Sequence, residues 1–342
     1  MDTLALEFHY ALILLVSLAL ALLLTPVGDW LGRRLGITAQ PGGRRHHRGV
    51  VSRLGGIGLV AGFYGGLALA RLFPLYTADP HETLRLWGLV IGGALMFVLG
   101  LLDDRFDLPP WVQYLGYLMA AGVAIATLII LEQFNNPFTD ELINLPTLLY
   151  VPLTTFWITG MIVTVNWMDG LDGLAVGVAA ILTTVLALHM IRMGQFSVAP
   201  QALALMGASL GFLIYNVYPA KVHLGSNGAF TLGYLLAALG LIAGARVATV
   251  LLVMGVPVVD VAWTIIDRMR HGARPTEGDR RHLHYRLQDA GLSTGLIVLL
   301  YWGFCAIFGI LALTISTRLF KLLALGLIGA LTLTVLFYLS KD

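Results

Sequence analysis

Charge is what this chain has least of. Only 12% of its 342 residues are Asp, Glu, Lys or Arg, against roughly 25% in a typical water-facing domain. A single cysteine, Cys305, excludes any intrachain disulfide. No Gly/Ser-rich linker divides the sequence, and no internal repeat of the kind that marks many transporters is visible. The first apolar run, Phe8 to Val27, is preceded by the acidic Asp2 and Glu7 rather than by a basic segment. That argues against a cleaved signal peptide and for a retained span. No basic stripe or motif points to nucleic acid, and none is expected as a partner.

What is abundant is apolar. Hydrophobic residues make up 58% of the chain, and the mean hydropathy is +0.84. So large an excess cannot be buried inside one globule, and the solvent that suits it is lipid. The expectation is an all-α integral membrane protein, a single polytopic domain over residues 1–342. About eleven runs have the length of a transmembrane helix: 8–27, 54–73, 86–102, 111–131, 147–168, 174–192, 200–218, 230–245, 247–266, 296–315 and 321–339. Only Arg246 separates the eighth from the ninth.

Sidedness follows from Lys and Arg, which concentrate in cytoplasmic loops. With the N-terminus outside and the C-terminus inside, fifteen of the 21 basic residues fall on the cytoplasmic side, including Arg33, Arg34, Arg44, Arg45, Arg48, Arg53, Arg105, Lys221 and Lys341. The cytoplasmic loops are then 28–53, 103–110, 166–173, 219–229 and 267–295. Every segment of chemical interest lies in or beside one of them: "RRHHRGVVSRLGG", "LLDDRFDLPP", "NWMDGLDG", "KVHLGSNGAF" and "GDRRHLHYRL". The outer loops carry nothing comparable.

In "NWMDGLDGLA", Asn166, Asp169 and Asp172 step by three. If helical, they form one slanted stripe, with Gly170 and Gly173 removing bulk beside it. Three oxygen-bearing side chains suit a hard cation such as Mg²⁺, or the phosphates it bridges; the bland alternative is a hydrated helix end with a Gly-rich cap. Asp103 and Asp104 end a span, with Asp107 one turn on. Adjacent carboxylates repel, which favours a metal, a shared proton or a cationic partner, and one of them is a candidate base. An Asp-rich helix stop before Pro109 and Pro110 is the plainer reading. His282 and His284 stand among Arg280, Arg281 and Arg286, a mixture that suits a phosphate or diphosphate better than zinc. A basic loop against anionic lipid is the alternative there, and the favoured one for residues 42–49.

Taken together, these segments resemble the polyprenyl-phosphate N-acetylhexosamine-1-phosphate transferases, over roughly residues 8–340. The resemblance implies transfer of a sugar-1-phosphate from a UDP-N-acetylhexosamine, such as UDP-GlcNAc, to a polyprenyl (undecaprenyl) phosphate in the bilayer. UMP is released, with Mg²⁺, or alternatively Mn²⁺, as cofactor. It also implies the first membrane step of cell-envelope glycan assembly, at the cytoplasmic face of the cell membrane, and leaves a homodimer open. By position, Asp103 and Asp104 match the family's aspartate pair. Asn166 matches a metal-ligand asparagine, and Asp169 and Asp172 match site carboxylates. His282, His284 and Arg286 match a nucleotide-sugar loop, and Arg53 the arginine before paired glycines. The chain departs from the pattern at Ser226, where a metal-ligand aspartate is expected, and at Gln113, where a phosphate-binding lysine is expected. Ala229, Tyr285 and Val163 are further departures. The alternatives are a catalytically impaired relative that binds nucleotide-sugar or polyprenyl phosphate, and a transporter on a multi-span frame.

Overall fold

The computed structural model describes residues 3–39, 51–73, 75–77, 79–139, 141–244, 247–274, 280–315 and 317–340. The basic segment 42–49, with Arg44, Arg45 and Arg48, lies outside the described residues, as do Arg246 and Lys341.

Each apolar run of the sequence forms helix. In chain order these are α1 (Thr3–Leu35), α2 (Gly56–Leu72), α3 (Glu82–Phe106), α4 (Pro110–Ala126), α5 (Thr147–Met168), α6 (Leu174–Arg192), α7 (Ala199–Asn216) and α8 (Gly225–Ile242). They continue with α9 (Val247–Val253), α10 (Gly255–Arg270), the short α11 (Leu283–Asp289), α12 (Thr294–Thr314) and α13 (Arg318–Tyr338). Among the described residues there are also two small antiparallel ladders: β1 (Thr38–Ala39) with β2 (Val51–Ser52), and β3 (Gln133–Asn135) with β4 (Leu142–Asn144). The chain is a mostly helical, multi-pass membrane protein. Among the described residues seven helices are long and apolar enough to cross a bilayer, or eight if α9 and α10 count as one bent span. The count of eleven also takes in α2 and α4, each of 17 residues, and α7, of 18, at the short end of spanning length.

Two expectations change. The loop placed at 28–53 begins later, because α1 runs on to Leu35. The run 247–266 is not one straight helix: α9 and α10 meet at 82°. Gly255 and Pro257 open α10. Proline has no N–H to continue the preceding helix and is tolerated in a first turn, so the break falls there.

The centre of the bundle is α8, nine-tenths of which is buried. It packs against α3 and α5, while α1 packs against α2 and α7, and α6 against α7 and α12. Few polar groups enter this core, and two of the largest find partners. The Tyr234 hydroxyl donates to the Gly88 carbonyl at 2.8 Å, and the Trp157 indole N–H to the Ala237 carbonyl at 3.0 Å. α13 is the least buried span and touches mainly α9 and α10. Its outward leucines suit lipid rather than water.

Candidate active site

The two adjacent aspartates at the end of α3 point in different directions, as neighbours on a helix must. Asp104 is 7% exposed and turns toward α8. Its carboxylate accepts from the backbone N–H of Ser226 and of Asn227, both at 2.9 Å, and from the Asn227 amide at 2.6 Å. The first amides of α8, orphaned by helix geometry, are thereby satisfied by a side chain of another helix. Asp103 faces α4, where its carboxylate accepts from the Gln113 amide at 2.8 Å; the Ser226 side chain also interacts with it. Gln113 is steadied in turn by the Leu108 carbonyl at 3.0 Å. The two departures from the family pattern, Gln113 and Ser226, therefore meet on one carboxylate.

Arg53 joins the same cluster through its backbone. The Asn227 amide donates to the Arg53 carbonyl at 2.9 Å, and the approach is so close that a Cβ on Gly225 (φ +71°) would sit 1.8 Å from that oxygen. The Arg53 guanidinium reaches the exposed Asp107 at 3.2 Å. Asp107 is the left-handed cap of α3, its N–H donating to the Asp103 carbonyl at 2.8 Å.

The stripe expected of Asn166, Asp169 and Asp172 is not one helix face. α5 stops at Met168, Asp169 is its C-cap, and a turn carries Asp172 to Gly173 (φ +79°), where α6 begins. The glycines that were to remove bulk end the helix instead. Asn166 is half-buried in the last turn of α5. Asp172 faces the 217–224 loop: it accepts from the Ala220 N–H at 3.0 Å, and the His223 Nδ1 lies 3.7 Å away. Asn216 locks the two segments, accepting from the Gly173 N–H and donating to the Val222 carbonyl. The His223 N–H in turn donates to the Ser52 carbonyl at 3.1 Å, next to Arg53.

The histidines gather on a residue the sequence reading passed over, Asp260 of α10. It is 4% exposed. Its carboxylate stands 3.1 Å from His282 Nδ1 and 4.0 Å from His284 Nδ1, and accepts from the Leu283 N–H at 2.7 Å. The two imidazoles stack at 5.5 Å, and Trp167 meets His282 edge-on at 5.3 Å. Burial pushes the His284 imidazole down to about 3, against the opposing pull of Asp260, so it is neutral at physiological pH. Its Nε2 is buried and accepts or donates no hydrogen bond. A Cβ on Gly170 would lie 2.6 Å from that nitrogen, which sets the histidine loop directly against the turn holding Asp169. The Tyr285 hydroxyl donates to the Gly170 carbonyl at 3.3 Å. Arg286 is turned away. It donates to Asp267 at 3.3 Å, to the Arg281 carbonyl at 2.6 Å, and to Leu339 and Ser340 at the end of α13.

Asp103, Asp104, Ser226, Gln113 and Arg53 thus form one cluster. Asp172 joins it through His223 and Ser52, and His282 and His284 touch the turn between Asp169 and Asp172. Beyond Asp260, the sequence reading also missed Asn227, Asn216 and Trp167, over which the buried Arg268 guanidinium lies at 4.7 Å. A carboxylate inside an apolar run is itself a signal, so Asp260 was findable; Asn227 and Asn216 carried none.

No three His, Cys, Asp or Glu side chains among the described residues converge as a closed metal cage. Mg²⁺ does not need one, since it commonly takes one or two carboxylates and completes its shell with water and substrate phosphates. Asp103, Asp169 and Asn166 offer the oxygen chemistry for that mode.

Comparison with known proteins gives the family. The family model described as "Glycosyl transferase family 4" matches residues 86–244. A Bacillus subtilis protein named probable undecaprenyl-phosphate N-acetylglucosaminyl 1-phosphate transferase is 31% identical over 309 residues, covering 89% of this chain and 84% of that one. A Mycobacterium tuberculosis decaprenyl-phosphate N-acetylglucosaminephosphotransferase is 30% identical, covering 80% and 74%. A Staphylococcus carnosus phospho-N-acetylmuramoyl-pentapeptide-transferase is 30% identical over a shorter stretch, 59% and 65%. The chain belongs to glycosyl transferase family 4, and the resemblance read from its motifs is borne out.

Proposed function

We propose that the protein transfers N-acetylhexosamine-1-phosphate, with GlcNAc as the sugar named in its relatives, from a UDP-sugar to a membrane polyprenyl phosphate. UMP is released and a lipid-linked diphosphosugar remains. In the cell the reaction is the first membrane step of an envelope glycan, at the cytoplasmic face of the cell membrane. The proposed topology has eleven spans with the N-terminus outside. The observation that supports this best is the continuous run of contacts from Asp103 and Asp104 through residues 226–227, 52–53 and 223 to Asp172, and from Gly170 to His284.

The chemistry is an in-line displacement. An oxygen of the lipid phosphate bonds to the phosphorus that carries the sugar, the bond from that phosphorus to UMP breaks, and UMP leaves with the bonding electrons. Positioning and charge neutralisation do most of the work in such transfers. Asp103 orients the lipid phosphate or takes its proton, held in place by Gln113. His284, neutral and with Nε2 uncommitted, hydrogen-bonds the donor without adding charge. Asp260 fixes the ring of His282 through Nδ1 and leaves its Nε2 toward substrate. Asp104 holds the mouth of α8 in register. A divalent cation, held by Asp103, Asp169 and Asn166, would supply the positive charge that keeps two phosphate groups from repelling.

The test is release of UMP from purified protein given UDP-GlcNAc, undecaprenyl phosphate and Mg²⁺. Activity in the wild type, lost in Asp103→Asn and in Asp169→Asn, is expected. No UMP from intact protein, with activity gained in the Ser226→Asp, Gln113→Lys double variant, would reject it in favour of a binding-only relative.

A further inference from the structure

A cavity of about 770 Å³ lies at the end of the bundle opposite the carboxylates. The helices place it there. α3 begins at the cavity with Glu82 and Arg85 and reaches Asp103 and Asp104 about 30 Å further on, at 1.5 Å per residue. α8 runs the other way, from Ser226 to Leu241 and Ile242 in the cavity wall. The volume is within the range of ligand sites. Nothing in the proposed transfer uses it.

Its lining is divided. One wall is apolar, with Leu241 and Leu251 on the bundle side and Leu322 and Leu325 from α13. Since α13 is the least buried span, this wall borders the bilayer. The polar side holds cations, carboxylates and amides. Arg318 and Lys321, one turn apart at the start of α13, bring positive charge. Gln195 and Gln201 each present a buried side-chain carbonyl oxygen that accepts no hydrogen bond, and Gln201 is only 4% exposed. Of the three carboxylates in the lining, Glu82 accepts from the Ser197 hydroxyl at 2.6 Å and Asp79 from Arg85 at 2.5 Å, while Glu132 is exposed to solvent. A buried acceptor without a donor is costly, on the order of 1–3 kcal/mol. Two in one cavity call for a guest that donates.

We propose that this cavity binds a phospholipid from the leaflet at that end, one whose headgroup donates hydrogen bonds. The phosphate lies by Arg318 and Lys321, an acyl chain runs along Leu322 and Leu325, and the ammonium or hydroxyl groups of an ethanolamine or glycerol headgroup satisfy Gln195 and Gln201. A choline headgroup, which has no donor, fits the phosphate but leaves both oxygens unpaired. The site does not depend on the catalytic reading. Under the topology proposed above, the lipid comes from the outer leaflet.

The experiment is native mass spectrometry of the full chain released from nanodiscs of equimolar phosphatidylethanolamine and phosphatidylcholine. The expected result is one tightly retained lipid per chain, with ethanolamine preferred by about tenfold, a typical gain for satisfying buried polar groups. The double variant Gln195→Leu, Gln201→Leu should remove the preference while keeping retention, and Lys321→Glu should weaken retention of both lipids. Lys321 sits at a helix start, and an unchanged melting temperature of its variant would show that charge, rather than another contact of Lys321, is what the lipid loses. Equal retention of the two lipids by the wild type, a preference that survives the double variant, or no retained lipid at all (a cavity filled by water only) would each overturn the proposal. Displacement by soluble glycerophosphoethanolamine at the same concentration as lipid would also overturn it, by showing that the apolar wall plays no part.

Discussion

Asp103 and Asp104 look alike in the sequence and do different work in the structure. Asp104 receives three donors from residues 226 and 227. In Asp104→Asn one acceptor oxygen remains, and an amide N–H₂ is turned toward N–H groups. The expected loss is about 1–3 kcal/mol, seen as a lower melting temperature of the detergent-purified protein. Asp103→Asn keeps an oxygen for Gln113 and should melt near the wild type while releasing no UMP. Equal melting of the two variants would show that Asp104 is not what holds α8. His284 gives a second contrast. Its imidazole is held down to about 3 by burial, against an ordinary 6.5. Between those values the unfolded chain binds a proton that the folded chain refuses, so stability is full above about 6.5 and falls as the pH drops toward 3. The slope is at most about 1.4 kcal/mol per pH unit. Unfolding by denaturant at pH 7 and pH 5 should show a smaller difference in His284→Gln than in the wild type. The sequence identified both residues as site candidates, because carboxylates and imidazoles are rare in a chain so poor in charge. It could not divide their roles, which depend on the direction each side chain leaves its helix and on backbone amides contributed from more than a hundred residues away.

At the level of elements, apolar run length carried most of the fold: α5 and α6 fall on the residues read from hydropathy alone. What hydropathy missed were the breaks. A window average does not register one proline and one glycine in an apolar run, so the 82° turn between α9 and α10 was read as a continuous span. The regular step of Asn166, Asp169 and Asp172 likewise invited a helix that Gly170 and Gly173 end. That turn is also where the α5–α6 connection meets α11. Gly170→Ala places a methyl 2.6 Å from His284 Nε2 and from the Tyr285 hydroxyl, and the neighbours must yield. The rings belong to a short helix on a loop, so the loop moves before the bundle does. The expected outcome is a rise in KM for UDP-GlcNAc of about tenfold, equivalent to about 1.4 kcal/mol or one lost hydrogen bond, with the melting temperature nearly unchanged. A lowered melting temperature with unaltered KM would place the loop's importance in folding instead.

For the whole molecule, the two ends of the bundle differ in kind. One gathers carboxylates, imidazoles and buried hydrogen bonds between segments distant in sequence. The other has the β3–β4 hairpin and an amphipathic cavity beside α13. The topology proposed from the bias of Lys and Arg has the first end in the cytoplasm, and the chain is well suited to testing this because its one cysteine, Cys305, is fully buried. Phe138, in the hairpin turn, is 77% exposed, and the His271 side chain, after α10, is 63% exposed. In intact cells, Phe138→Cys should react with a membrane-impermeant maleimide, whereas His271→Cys should react only after the membrane is permeabilised; the unsubstituted chain should stay unlabelled in both conditions. The reverse pattern would put the carboxylate cluster outside the cell. A UDP-sugar made in the cytoplasm would then have no route to Asp103, and the proposed transfer would fail on topology whatever the geometry of the site.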